Sequence, residues 1–415
     1  MPNSQPTQAR WASMETEEVL ATLQAEVERL RQDNTQLQKQ TEAVAEANAH
    51  AAELMVEIEE ARALLEEQNQ QLEQHNAFIR QTFGRYLTND VVKSLLESPD
   101  GLVLGGERRK ITLVMTDLRG FTSMSGRLEP EQVVSMLNRY LGAMIEVIQN
   151  YRGTIDEFIG DAIFILFGAP IQREDDTERA VACALAMQLA MVEVNAQNRA
   201  DGFPEVEMGI GIHTGEVVVG NIGSDIRAKY GVVGSAVNLT ARIESYTIGG
   251  QVLISETTRQ EIGPLVQVGE RLEVEAKGID QPINIYDVRG MRGEYDLWLP
   301  ETATYLMHLP QSLPLQYRVL EGKHMSEEMY PGHLVKLSAK DAEVHAIRLL
   351  EPWSDIKMKL TGLNGEDLSG DLYAKVMGPL SGEGSGFSVH FTSIPPEIET
   401  YFHHLLTSQA PGKIV

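Results

Sequence analysis

From Leu20 onward apolar residues return every seven positions. Leu23, Leu30, Leu37, Val44, Ala51, Ile58, Leu65, Leu72 and Ile79 hold one seam position without a break. The position three residues earlier carries Leu20, Val27, Asn34, Thr41, Asn48, Met55, Arg62, Asn69 and Asn76. At 3.5 residues per turn both positions line one stripe, and no Pro or Gly interrupts it. The pattern predicts a parallel, two-stranded coiled coil over 16–80, preceded by a polar tail over 1–15. The recurrent Asn weakens the seam but fixes its register. A single solvated helix is the alternative, because Gln and Glu are abundant here. From Phe83 the heptads stop. Val91-Val92 and Leu95-Leu96 predict a short coupling helix within 81–106, capped by Thr88-Asn89 and ended by the Ser98-Pro99-Asp100-Gly101 turn.

The period then changes. Lys110–Asp117 reads as a strand, and Pro130–Tyr151 as a helix with Val133, Leu137, Leu141 and Ile145 on one face. Gly153–Pro170 reads as two strands folded on a Gly160-Asp161 turn, since its flanks are β-branched or aromatic. A long Ala-, Leu- and Met-rich helix is predicted over Asp175–Asn198. Strands follow at Val206–His213 and Glu216–Gly220, joined through Thr214-Gly215, then a helix at Val237–Tyr246 and strands at Val252–Ser255 and Gln281–Val288. Together they predict an α/β domain over 107–290, a mixed sheet with helices against it. Beyond Gly290, Ile356/Met358/Leu360, Leu372/Ala374/Val376 and Phe387/Val389/Phe391 alternate with polar residues. That is the half-buried antiparallel pattern of a small β-barrel-like domain over 291–415, with a last helix opened by Pro395-Pro396-Glu397.

A chain of 415 residues is too long for one core, and ~2–4 domains are expected. The net charge of −25 argues against a nucleic-acid surface and against docking on anionic membranes. Cys183, the single cysteine, excludes an internal disulfide and reads as helix core. The sequence has no signal-peptide pattern and no apolar run approaching the ~20 residues of a membrane span, so a soluble cytoplasmic protein is expected.

Asp117 at a strand end and Asp161 at a hairpin tip are placed where two carboxylates can converge on one sheet edge. Such a pair would hold one or two Mg²⁺ or Mn²⁺ ions, which prefer oxygen ligands and keep phosphate oxygens among them. The loop Leu118, Arg119, Gly120, Phe121 and Thr122 would offer backbone N–H groups to phosphates. His213 reads as a packed histidine. The glycines of 209–223 lack the strand–turn–helix context of a dinucleotide fingerprint.

Four stretches carry a resemblance: Met115–Thr122 (MTDLRGFT), Thr154–Pro170, Gly209–Asn221 and Tyr230–Arg242. From Glu107 to Arg289 the chain resembles the catalytic domain of class III adenylyl and guanylyl cyclases, which implies a ferredoxin-like fold. The resemblance implies two metal ions per site on Asp117 and Asp161, with Leu118 beside them. It makes Asn238 and Arg242 the transition-state residues, with Asn238 orienting the ribose and Arg242 neutralising the phosphate. It assigns Lys277 to the terminal phosphates. It also implies a head-to-tail homodimer in which the acids and the Asn/Arg pair come from different subunits, in keeping with the coiled coil. Glu157 and Gly231 fall at the base-selecting positions. An ionised glutamate only accepts hydrogen bonds, so it suits the adjacent N1–H and N2–H₂ donors of guanine and repels adenine N1. GTP is therefore the expected substrate, with ATP as the alternative if Glu157 faces solvent. A catalytically silent scaffold is a third reading, opposed by the complete set Asp117, Asp161, Asn238 and Arg242. The C-terminal domain resembles the PilZ fold, a barrel that often binds cyclic di-GMP. Its binding signature survives only as Ser338 in Lys336-x-Ser338-x-x-Asp341, so the domain reads as a regulatory or protein-contact module.

Overall fold

The heptad region is one helix, α1 (Thr7–Phe83), in a computed structural model that describes residues 7–83, 88, 90–93, 103–275, 282–301, 305–321, 324–380 and 385–408. The chain divides into two compact units, Met1–Thr82 and Phe83–Val415. In the single chain the seam residues Leu23, Leu30, Leu37 and Leu65 are exposed along α1, an apolar stripe left without a partner helix. Of the coupling segment, Thr88 is fixed to the hairpin: its hydroxyl accepts from the Ile155 N–H at 3.1 Å. Val91 and Val92 beside it are buried, and the remainder lies outside the described residues.

The catalytic-size domain is built on β1 (Gly105–Leu118). Its continuous apolar run serves two faces, as a central strand requires. Ile111, Leu113 and Met115 point to one face, and Val114 and Leu118 to the other. On either side lie the hairpin β2 (Thr154–Ile159) and β3 (Ala162–Phe167), and the long β4 (Met208–Ser224). With β6 (Val252–Ser255), β7 (Val266–Val274) and β8 (Ile283–Met291) the order is β2-β3-β1-β4-β6-β8-β7. β4 and β6 are parallel and the other neighbours antiparallel, so the sheet is mixed. β5 (Arg227–Val233) folds back on β4. Between β1 and β2 lie α2 (Phe121–Ser125) and α3 (Pro130–Asn150), and between β3 and β4 lies α4 (Asp176–Ala200). α3 and α4 cover one face. α5 (Ser235–Ser245) lies on the other, against Val217, Val219 and Leu113. α4 is also the one described helix long and apolar enough to cross a membrane, but Ala180–Leu185 at its centre are buried in this core and Cys183 with them.

Two expectations are corrected, and three elements are added. No turn at Thr214-Gly215 divides β4, because β1 pairs with it continuously from Gly105↔Asn221 to Leu118↔Met208. The buried stripe of α3 is Met136, Tyr140, Met144 and Ile148, with Leu137 and Leu141 only flanking it. β5, β7 and the short α6 (Glu256–Ile262) had no expectation at all.

The C-terminal domain is a closed six-stranded barrel. β10 (Met307–Glu321), β12 (Tyr330–Leu337), β13 (Asp341–Ala346), β16 (Gly386–Ser393), β15 (Leu372–Pro379) and β14 (Asp355–Leu360) follow in that order, and β14 pairs back to β10. The short β11 (His324–Met325) extends β10 at the barrel edge, whereas β9 (Leu297–Trp298) pairs with β8 of the first sheet. The alternating residues found in sequence are its core, together with Tyr317 and Leu334, and α7 (Pro396–Ser408) covers one end through Ile398 and Phe402.

Two glycines fix how closely α5 lies on the sheet. A Cβ at Gly211 would overlap the backbone nitrogen of Glu244 in α5, and one at Gly209 would overlap the Thr247 hydroxyl. Gly211→Val is expected to lift α5 and cost about 1–3 kcal/mol, a typical overpacking cost. Thermal unfolding checks this, and an unchanged midpoint would remove close packing as the reason for the glycine.

Candidate active site

Asp117 follows Ile111, Leu113 and Met115 on the α5-facing side of β1. β3 runs antiparallel beside β1 as far as Thr116↔Ile163, so the hairpin tip ends level with Asp117. Gly160 supplies the turn at φ 69°. Asp161 then reaches across, and its Oδ2 accepts the Leu118 N–H at 3.0 Å. The two carboxyls lie within hydrogen-bond reach of each other. Burial raises the pKa of Asp117, against the Arg119 guanidinium. Burial first, and then the charge of Asp117, push Asp161 up to about 6. Like charges held together in this way favour a divalent cation between them, and the donors are oxygens, as Mg²⁺ or Mn²⁺ requires. Among the described residues no group of three or more His, Cys, Asp or Glu side chains could hold a metal. Two carboxylates leave most of a coordination shell for water and phosphate oxygens, which suits Mg²⁺.

The loop after Asp117 is less free than expected. The Leu118 N–H is spent on Asp161, and the Arg119 N–H donates to Glu207 O at 2.7 Å. The side chain of Arg119, 9% exposed, pairs with Asp117 at 2.7 Å and with Glu244 of α5. Burial raises Glu244 to about 7, opposed by Arg119 and, further down, by Lys375 of the barrel. Gly120, at φ 68°, is the N-cap of α2, and a Cβ there would overlap the carbonyl of Thr392 in the barrel. Phe121 packs on the main core, and Thr122 accepts from the Ser125 hydroxyl at 3.1 Å.

Asn238 and Arg242 lie one turn apart on α5, both exposed, with no side-chain hydrogen bond or ion pair among the described residues. Glu244, two residues on and therefore about 200° round the helix from Arg242, turns toward Arg119 and Asp117. The Asn/Arg face thus points away from the carboxylates of its own chain. Lys277 lies outside the described residues.

A β-bulge sets Asp156, the neighbour of Glu157, against Gly231. Ile155 pairs with Ile165 and Glu157 with Phe164, leaving Asp156 as the extra residue. A bulge breaks strand alternation, and here both Asp156 and Glu157 reach the Lys229 ammonium, at 2.7 and 2.9 Å. Lys229 and Gly231 share one face of β5, two residues apart. Burial works against the charge of Lys229, but Asp156 and Glu157 outweigh it and its pKa rises. A Cβ at Gly231 would stand 3.0 Å from Asp156 Oδ1. Sequence reasoning missed Lys229 and Asp156. The i, i+2 relation of Lys229 to Gly231 was a usable signal, whereas the bulge had none. His213 is packed as expected, its Nδ1 2.9 Å from Ser255 Oγ, and burial lowers its pKa to about 4.

Comparison with known proteins decides the class of this domain: residues 106–290 match the adenylate and guanylate cyclase catalytic domain, and that segment is a nucleotidyl cyclase catalytic domain. Adenylate cyclase 1 of Rhizobium meliloti is 34% identical over 212 residues, 51% of this chain and 32% of that protein. The adenylate cyclase of Anabaena cylindrica is 35% identical over 221 residues, 50% of this chain and 43% of that protein. Among solved structures, that of the guanylyl cyclase Cya2 is 56% identical with a TM-score of 0.47, covering 48% of this chain and 100% of the other. The chain thus spans well under half the length of these two curated relatives.

The carboxylate pair carries a stability cost with a definite pH dependence. Because the folded pKa of Asp161 lies above its ordinary 3.8, the native state binds the proton more tightly than the unfolded chain. Its contribution is therefore most favourable below about pH 4 and is lost as pH rises through about 6. Asp161→Asn is expected to raise the unfolding midpoint at about pH 7.5 and to leave it unchanged near pH 4. Mn²⁺ should raise the wild-type midpoint and not that of the variant. A midpoint lowered at neutral pH would contradict the electrostatic account.

Proposed function

We propose that the chain converts GTP to 3′,5′-cyclic GMP and pyrophosphate as a homodimer. The observation that carries this reading is the division of the site into two faces. Asp117 and Asp161 share one sheet edge, while Asn238 and Arg242 face away from them on α5. A second chain brought head to tail would complete each half. The α1 stripe gives the two chains a further means of pairing.

In this reading the ribose 3′-oxygen attacks the α-phosphorus, and the bond from that phosphorus to the bridging oxygen of the β-phosphate breaks. The hydroxyl proton leaves to solvent, and pyrophosphate departs. Mg²⁺ or Mn²⁺, two per site, would when bound acidify the hydroxyl and stabilise the leaving group. Asp117 and Asp161 hold these ions. Arg242 of one chain compensates charge on the α-phosphate oxygens and Asn238 orients the ribose for in-line attack. Glu157 accepts from guanine N1–H and N2–H₂. Lys229, anchored on Asp156, pairs with Glu157 at 2.9 Å and holds its carboxylate in place. ATP as substrate is the second reading, favoured by the name adenylate cyclase that two relatives carry. The barrel serves a regulator or protein contact. Ser338, the remnant of the cyclic di-GMP signature, is occupied in a local turn, accepting the Asp341 N–H at 2.8 Å.

The deciding experiment supplies purified full-length chain with Mn²⁺ and equimolar GTP and ATP and separates the products. Cyclic GMP should predominate, and predominant cyclic AMP would overturn the base assignment. Asp117→Ala should lose about 100-fold or more in kcat, the scale of removing a central electrostatic group. Mixing Asp117→Ala with Asn238→Ala chains should restore part of the activity, since one composite site in the mixed dimer is intact. No restoration would argue against a shared site. Glu157→Lys combined with Gly231→Thr should move preference toward ATP.

A further inference from the structure

The barrel is seated on the two elements that carry the active site, and it touches both from behind. On the loop side, the Ser393 hydroxyl donates to Ser123 Oγ of α2 at 3.3 Å, the Thr392 carbonyl fills the space over Gly120, and Lys340 pairs with Glu207. On the helix side, Trp353 stands edge-on to Tyr246, ring centroids 6.4 Å apart, and joins the cluster of Ile243, Leu253, Val274 and Ile285 beneath α5. Trp353 sits at φ 68°, a region costly for a bulky side chain, and its N–H is held by the Val376 carbonyl at 2.7 Å.

Lys375 is the most telling contact. Its neighbours on β15, Ala374 and Val376, face the barrel core, so by alternation Lys375 faces outward. An outward lysine on a free barrel would be solvated, yet this one is 3% exposed because the cyclase domain covers it. Its ammonium donates to the Ser245 carbonyl, at the C-terminal end of α5, at 2.9 Å, and pairs with Asp355 of its own barrel at 3.0 Å. A cation at a helix C-terminus satisfies orphan carbonyls and opposes the helix dipole. Ser245 adjoins Glu244, which through Arg119 is tied to Asp117. With the barrel seated, the Asp117 side chain remains 38% exposed, and Asn238 and Arg242 stay open. The barrel supports the site and does not plug it.

We propose that Lys375 and Trp353 of the C-terminal barrel are positioning residues for cyclization, fixing the end of α5 and so the placement of Asn238 and Arg242. The docked barrel is the active arrangement, and a partner that lifts it off would slow the enzyme. This rests on the assignment of Asn238, Arg242 and Asp117 to catalysis.

The test uses the full-length chain and steady-state kinetics with Mn²⁺ and GTP, or ATP if that is the substrate turned over. Lys375→Met and Trp353→Ala are each expected to lower kcat by about 10- to 100-fold, the scale of a slightly misplaced catalytic group. KM should change by less than about threefold, because the carboxylates and the base pocket stay in place. Amide hydrogen exchange over 235–245 should speed up in both variants. Lys375→Arg should restore most of kcat, since its longer side chain still reaches the Ser245 carbonyl. Asp355→Asn, which removes only the intra-barrel ion pair, should keep wild-type kcat. Wild-type kcat in Lys375→Met would overturn the proposal, as would an equal loss in Asp355→Asn, which would reduce Lys375 to barrel stability. Full activity in Asp117→Ala would instead sink the underlying site assignment, whatever the barrel variants do.

Discussion

Holding two carboxylates of like charge at one edge of a buried sheet is the constraint on which the rest of this domain depends. Neither Asp117 nor Asp161 is stabilised by its surroundings in the way a surface acid is. Burial pushes protons onto both, and the charge of Asp117 adds to this at Asp161, while Arg119 opposes it at Asp117. The pair persists because the backbone leaves it no alternative: β1 and β3 are locked in register up to Thr116↔Ile163, and the Leu118 N–H fixes Asp161 at the tip. Among the described residues Arg119 is the ion-pair partner of Asp117, and it reaches Glu244 as well, so the charge balance of the site is tied to the position of α5. Under the proposed function, a divalent cation would relieve the repulsion between the acids on binding, which gives an unstable arrangement its use.

The same economy governs α5. Gly209 and Gly211 give the helix a bare floor on β4, and its two sides then do different work. Thr240 and Ile243 are buried and Glu244 turns to Arg119, while Asn238 and Arg242 are left exposed. Under the proposed assignment, an Asn and an Arg held so face away from the carboxylates of their own chain, and a second chain presenting phosphate would give their spacing a use.

Much of this was legible in the sequence, for identifiable reasons. The hairpin could be placed because Gly160-Asp161 interrupts two β-branched runs, and the barrel because its core residues alternate strictly. α1 was legible because its period is sustained for many turns. The register and sidedness of other elements were not. β4 was broken in two at Thr214-Gly215 because a glycine there resembles a turn, when its real role is to lie flat beside Ala236 of α5. The face of α3 was misjudged by one position, since apolar residues lie on both flanks of the true stripe. The loop at Leu118 and Arg119 reads as a source of free backbone N–H groups, and only tertiary contacts reveal that Asp161 and Glu207 take them. The partners of Glu157 depend on a bulge, which exchanges one side chain for another without any change in composition.

That bulge bears on how base selection could be built. In a regular strand Asp156 and Glu157 would point to opposite faces, and Lys229 could meet only one of them. With the bulge, Asp156, 5% exposed at its side chain, holds Lys229 from beneath while Glu157 stays about half exposed beside it. Asp156 Oδ1 is buried without a partner, and the bare backbone of Gly231 faces it. Glycine at this position preserves the room in which Asp156 sits, and Asp156 in turn pairs with Lys229. In the proposed reading Glu157, paired with Lys229, is fixed in direction as an acceptor for two adjacent donors. Adenine presents an acceptor where guanine presents N1–H, so a fixed Glu157 would discriminate by leaving a mismatched pair of acceptors without relief, and a mobile one would not.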